Sequence, residues 1–86
     1  MQEDHIIVGI HIMDRMNRAT DVQQLFTEYG CSIKTRVGMH DASDSVCSPS
    51  GMIVLEMIGG NGTASELTSK LNAIDGVHAQ QITFPH

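Results

Sequence analysis

Hydrophobic and polar positions change period several times along this chain of 86 residues, and each change marks an element. Residues 5–13, HIIVGIHIM, alternate as a β-strand does, with Ile6, Val8, Ile10 and Ile12 on one face and His5, Ile7, Gly9, His11 and Met13 on the other. Residues 17–29 place Ala19, Val22, Leu25, Phe26 and Tyr29 at helical spacing, with Gly30 following as a helix stop. Residues 32–40 alternate again, predicting Ile33, Val37 and Met39 on one side and Lys34, Arg36 and His40 on the other. Residues 41–50 are rich in Ser and Asp and read as a loop.

Residues 51–59, GMIVLEMIG, are apolar on both faces, as in a central strand covered on both sides. Gly59, Gly60, Asn61 and Gly62 predict a turn, and Thr63 with Glu66 three residues later reads as a capping box. Ala64, Leu67, Leu71 and Ile74 form the stripe of a second helix that Asp75-Gly76 ends. Residues 77–84, VHAQQITF, read as a last strand whose mixed pattern suggests a bulge.

The predicted order is β-α-β-β-α-β. Short crossovers of one hand put both helices on one face of a four-stranded antiparallel sheet. This is an α+β, ferredoxin-like sandwich over residues 1–86, with the first and third strands central. The helix-free face is expected to carry Ile7, Gly9, His11, Lys34, Arg36 and His40. Apolar residues on both sides of the third strand leave a patch for another subunit, so a homo-oligomer, dimer or tetramer, is expected.

Composition narrows the function classes. A 9.4 kDa chain makes one domain, and 41% hydrophobic residues are enough for a folded core. Five Lys and Arg against ten Asp and Glu give a net charge of −5. With aromatics at 3%, neither a phosphate-neutralising surface nor a base-stacking platform is expected, and so no direct nucleic-acid binding. The apolar stretches fall far short of the ~20 residues that span a bilayer, so no membrane partner is expected. No basic segment followed by an apolar run opens the sequence, and the two cysteines make no disulfide framework. The expected location is cytoplasmic, with reduced thiols.

Candidate chemistry is sparse. Imidazole and thiolate suit nickel, copper or zinc, and His40 and Cys47 are the candidate metal ligands, with His11 or a partner-chain histidine completing the set. No tight Cys-x-x-Cys or His-x₃-His spacing supports them. Cys47 near His40 suggests a nucleophilic dyad only formally, because Asp41 and Asp44 oppose a thiolate. The glycine-rich turn lacks the lysine of a phosphate loop. Cys31, just before the second strand, is expected to be a buried small hydrophobe. No catalytic constellation emerges, so an enzyme is not expected.

Four stretches carry a family resemblance: HIIVGIHIMDR, IKTRVGMHD around Arg36-Val37-Gly38, GMIVLEMIGGNGTASELTSKLNAIDGV, and the final QITFPH. Together they resemble the small iron-only hydrogenase system regulators, single-domain ACT-like proteins, over essentially the full domain. The third stretch matches that family's "LTGKLG…LPGV" helix with Leu67-Thr68-Ser69-Lys70-Leu71-Asn72 and Asp75-Gly76-Val77. More distantly the chain resembles ACT domains and the C-terminal domain of the nickel-responsive regulator. The latter draws histidine ligands from its second strand and a cysteine from the following loop, as His40 and Cys47 are placed here.

The resemblance implies a regulatory or sensor module acting through oligomerisation and a small-molecule or metal effector, or a protein partner. It leaves the cofactor unnamed. ACT-like domains hold ligands at the turn after the first strand, which here is Met13, Asp14, Arg15, Met16 and Asn17. Asn17 stands where ACT domains carry a glycine. The first helical amides with Asp14, Arg15 and Asn17 offer partners to a small polar molecule.

Overall fold

The computed structural model describes residues 4–13, 15–39 and 51–85, with the backbone alone described at 15–17, 19 and 39. In chain order it holds β1 (His5–Ile12), α1 (Arg15–Glu28), a 3-10 turn (Gly30–Ser32), β2 (Ile33–Met39), β3 (Gly51–Met57), α2 (Gly60–Asn72) and β4 (Val77–Phe84). The strands form one antiparallel sheet in the order β2-β3-β1-β4. The two most apolar strand segments thus take the centre, and the arrangement is the ferredoxin-like α+β sandwich the pattern predicts.

Alternation in β1 becomes a one-sided core. Ile6, Val8, Ile10 and Ile12 are buried with Leu55 and Met57 of β3 and Val77 and Ala79 of β4. Val22 and Phe26 of α1 and Ala64, Leu67 and Leu71 of α2 close over them, so both helices cover the same side of the sheet. Burying a side chain such as Leu67 contributes roughly 1.5–3 kcal/mol, and eleven of the thirteen residues in the cluster are of that kind, the other two being Ala64 and Ala79. β3 departs from the expectation of cover on both sides. Leu55 and Met57 are buried, while Met52 on the opposite face is 45% exposed.

Strand β2 inverts part of its expected phase. Ile33 pairs with Met57 and Thr35 with Glu56, so the ladder shifts by one residue between them. A bulge of this kind exchanges the faces of everything beyond it. Arg36 therefore reaches the helix side, lying over the Phe26 ring at 4.9 Å and donating to Gln23 Oε1 at 3.2 Å. Val37 turns to the open face with 46% exposure. Lys34 still reaches the open face, 3.8 Å from Glu56.

Strand β4 pairs with β1 in unbroken register, so the bulge expected there is absent. Its mixed pattern has another cause. Gln81 and Thr83 face the helices but donate to Asn61 Oδ1 of α2 at 2.9 and 3.0 Å. A polar cluster thus replaces apolar packing at that end of the layer.

The start of α2 lies earlier than the capping box placed it. Gly59 is the N-cap at φ 98°, without a side-chain cap, and Gly60 also has positive φ at 89°. Backbone of this kind favours glycine. Thr63 sits inside the helix and donates back to the Gly59 carbonyl at 3.3 Å, and Glu66 accepts from the Tyr29 hydroxyl at 2.7 Å. Cys31 is exposed in the 3-10 turn rather than buried. The loop expected at 41–50 lies outside the described residues.

Candidate functional site

The turn after β1 sits beside the turn before β4. Met13 donates its amide to the Gly76 carbonyl at 2.8 Å, and Arg18 of α1 stands 3.8 Å from Asp75. Met13 is 64% exposed. Of the other expected ligand-binding residues, Arg15, Met16 and Asn17 form the first turn of α1, so their amides belong to its N-terminal end. Asp14 lies outside the described residues. Asn17, within the helix, does not occupy the capping position.

Of the metal ligands expected from sequence, only His11 falls among the described residues. His11 is half-buried on the helix-free face of β1, while His40 and Cys47 lie outside the described residues. Among the described residues, no three of His, Cys, Asp and Glu gather to hold an ion.

What the structure does bring together is a row across the open face. His11 is registered opposite His78 of β4 on one side and opposite Met52 of β3 on the other. Residues opposite each other in an antiparallel ladder share a face. His78 was missed in the sequence because pairing of β1 with β4 cannot be read from local periodicity. Only counting back from the β4 end, with β1 central, would have set the two histidines opposite.

The same face also carries exposed apolar side chains. Val37, Met52, Ile82 and Phe84 are 46%, 45%, 53% and 55% exposed, from three different strands. Gly9 lies in their midst, registered with Val54 and Gln80, and a Cβ added there would meet nothing within 4 Å. The face thus combines exposed apolar side chains with open space over Gly9. On the helix side, a shallow groove of about 340 Å³ runs along Leu25, Ala73 and Ile74, rimmed by Asp21, Glu28 and Lys70.

Comparison with known proteins places the fold. No family model matches the chain, and no curated protein matches it. Among solved structures, an uncharacterized protein, TM1266 from Thermotoga maritima, superposes with a TM-score of 0.80 at 26% identity, covering 94% of this chain and 98% of that one. A formyltetrahydrofolate deformylase from Pseudomonas putida KT2440 superposes with a TM-score of 0.56 at 15% identity, over 90% of this chain and 28% of the deformylase. The first similarity spans a whole small single-domain protein. The second shows the same fold inside a longer chain. Among the described residues no helix is long and apolar enough to cross a membrane.

Proposed function

We propose that this chain is a small regulatory module of an iron-only hydrogenase system, working as a homodimer or a dimer of dimers and responding to a ligand or protein partner. The observation that carries the reading is the helix-free sheet face, where Val37, Met52, Ile82 and Phe84 stand exposed together. Contiguous apolar surface on a small domain marks an interface. The ACT-like resemblance supplies the regulatory class.

Pairing through sheet edges is the less favoured mode of assembly at β4. There the Ala79 amide and carbonyl are already engaged by the Asn72 side chain at 2.8 and 3.0 Å. The open face remains as the surface for a second copy. The effector position is the β1–α1 turn, where the Met13 amide bonds the Gly76 carbonyl and α1 begins at Arg15. The low count of cations favours action through a partner rather than on DNA.

Two measurements test the reading. Light scattering on the chain and on Ile82→Lys and Val54→Glu should show an oligomer that the substitutions dissociate. A well-folded monomer at micromolar concentration defeats the assembly. Affinity capture from the native host, with mass spectrometry of proteins and small molecules, should recover a transcription factor or a hydrogenase maturation protein. Catalytic turnover that is lost on Cys47→Ala would instead establish an enzyme.

A further inference from the structure

We infer that His11 and His78 form a transition-metal site on the open sheet face, with the Met52 thioether alongside, taking a late first-row divalent ion and copper(II) most tightly. The site shares His11 with the ligand set expected from sequence, uses neither His40 nor Cys47, and lies apart from the β1–α1 turn.

It rests first on register. His11 and His78 are direct partners in the β1–β4 ladder. Side chains opposite each other in an antiparallel pair have Cβ atoms about 4.5–5.5 Å apart. Two imidazoles so placed converge on one ion at the usual metal–nitrogen distance of about 2.0–2.1 Å. Because both strands are fixed by the core beneath them, with Ile10, Ile12, Val77 and Ala79 all buried, the backbone positions of the pair are set before an ion arrives.

The donor set gives the second argument. Met52 is registered opposite His11 on the side away from His78 and is 45% exposed, so a thioether-bearing side chain neighbours His11 on the same face. Imidazole with thioether suits copper, and the stability order for a given site puts copper(II) above nickel and zinc. His78 Nε2 lies 3.2 Å from Gln80 Nε2. A neutral imidazole whose lone pair receives the amide N–H presents that same lone pair to a metal once the amide turns away. Gly9, two residues before His11 on the same face, leaves open space where further ligands, water or groups of a second copy, enter.

Charge favours a cation as well. The chain carries −5 overall, and Lys34, at the far end of this face, is paired with Glu56 at 3.8 Å. Nothing in that balance repels a cation.

Titration calorimetry on the full chain without an affinity tag, with copper(II), nickel(II) and zinc(II) salts in separate runs, tests the site. One ion per chain should bind, with copper tightest. An ion bound only by the folded chain also raises its melting temperature. His11→Ala and His78→Ala should each weaken copper binding by about tenfold or more, the least that even residues supporting a metal ligand contribute. The double variant should lose little further, and His5→Ala, on the same face but registered with Phe84, should leave binding intact. Binding that survives in His11→Ala and His78→Ala overturns the site, as does binding lost only in Cys47→Ser or weakened equally in His5→Ala. Circular dichroism of each variant without metal separates loss of the ligand from loss of the fold.

Discussion

The side chain of Asn72 acts as a strand neighbour for Ala79: its Oδ1 accepts the Ala79 amide at 2.8 Å and its Nδ2 donates to the Ala79 carbonyl at 3.0 Å. β4 is an edge strand, and its outward backbone groups would otherwise be open to another chain. α2 ends at Asn72, directly where that edge needs a donor and an acceptor together. An amide side chain is the group that supplies both.

Asn72→Leu should therefore lower stability by about 1–3 kcal/mol, the cost of leaving partly buried polar groups unsatisfied. Asn72→Asp should do the same, because a carboxylate keeps the acceptor but faces the Ala79 carbonyl without a proton. Urea unfolding of both variants measures this. Midpoints equal to that of the parent chain would mean that water replaces Asn72 at no cost.

Arg36 offers a second test. Its guanidinium lies over Phe26 and bonds Gln23 on α1, although β2 carries it at an exposed position. Arg36→Ala should cost about 0.5–1 kcal/mol, the usual contribution of an exposed cation–π contact. Arg36→Lys should recover only part, since the planar group and its fork of donors are lost. Thermal unfolding of the pair of variants reads the difference.

Arg36 also shows where the sequence was legible and where it was not. Ile6, Val8, Ile10 and Ile12 repeat every second residue, and burial of one uniform set follows directly from that period. Leu67 and Leu71 declare the inner face of α2 just as directly. In β2, one extra residue between Ile33 and Thr35 exchanges the faces, and local alternation carries no mark of it. Gln81 and Thr83 misled in a different way. They look like outward positions or a bulge, but Asn61 satisfies them inside the layer. The candidate site divides along the same line. His11 was placed on the open face by strand alternation alone. Its partner His78 depends on which strands are neighbours, a property of topology and register together.

Gly9 separates folding from assembly. It lies mid-strand in β1 with open space above it, and a strand-interior glycine costs stability through the freedom it loses on folding. Gly9→Ala should raise the stability of the isolated chain by about 0.5–1 kcal/mol. If a second copy packs over Gly9, the same methyl intrudes on that contact and weakens association. Unfolding at low protein concentration together with sedimentation at high concentration gives both quantities. A less stable chain at low concentration would contradict the open space at Gly9.

Stability should fall on the alkaline side through Tyr29 and Lys70. Lys70 Nζ lies 5.1 Å from the Tyr29 ring centroid and 3.3 and 3.6 Å from Glu28 and Glu66. The hydrogen bond with Tyr29 first, and Glu28 next, hold the Lys70 ammonium above its ordinary value of 10.5. Lys70 pulls the Tyr29 phenol down, but desolvation and Glu66 outweigh it and leave the phenol above its ordinary 10.0. In both groups the folded chain holds a proton that the unfolded chain releases from about pH 10 upward, so stability is complete below that pH and declines above it. The urea midpoint should drop as pH rises through this range, and Tyr29→Phe with Lys70→Met should flatten the drop. Tyr29 is the sole tyrosine, so phenolate absorbance follows its titration without interference. The folded chain should titrate at higher pH than the urea-unfolded chain. Coincident curves would show that Glu66 and Lys70 do not hold the phenol in solution.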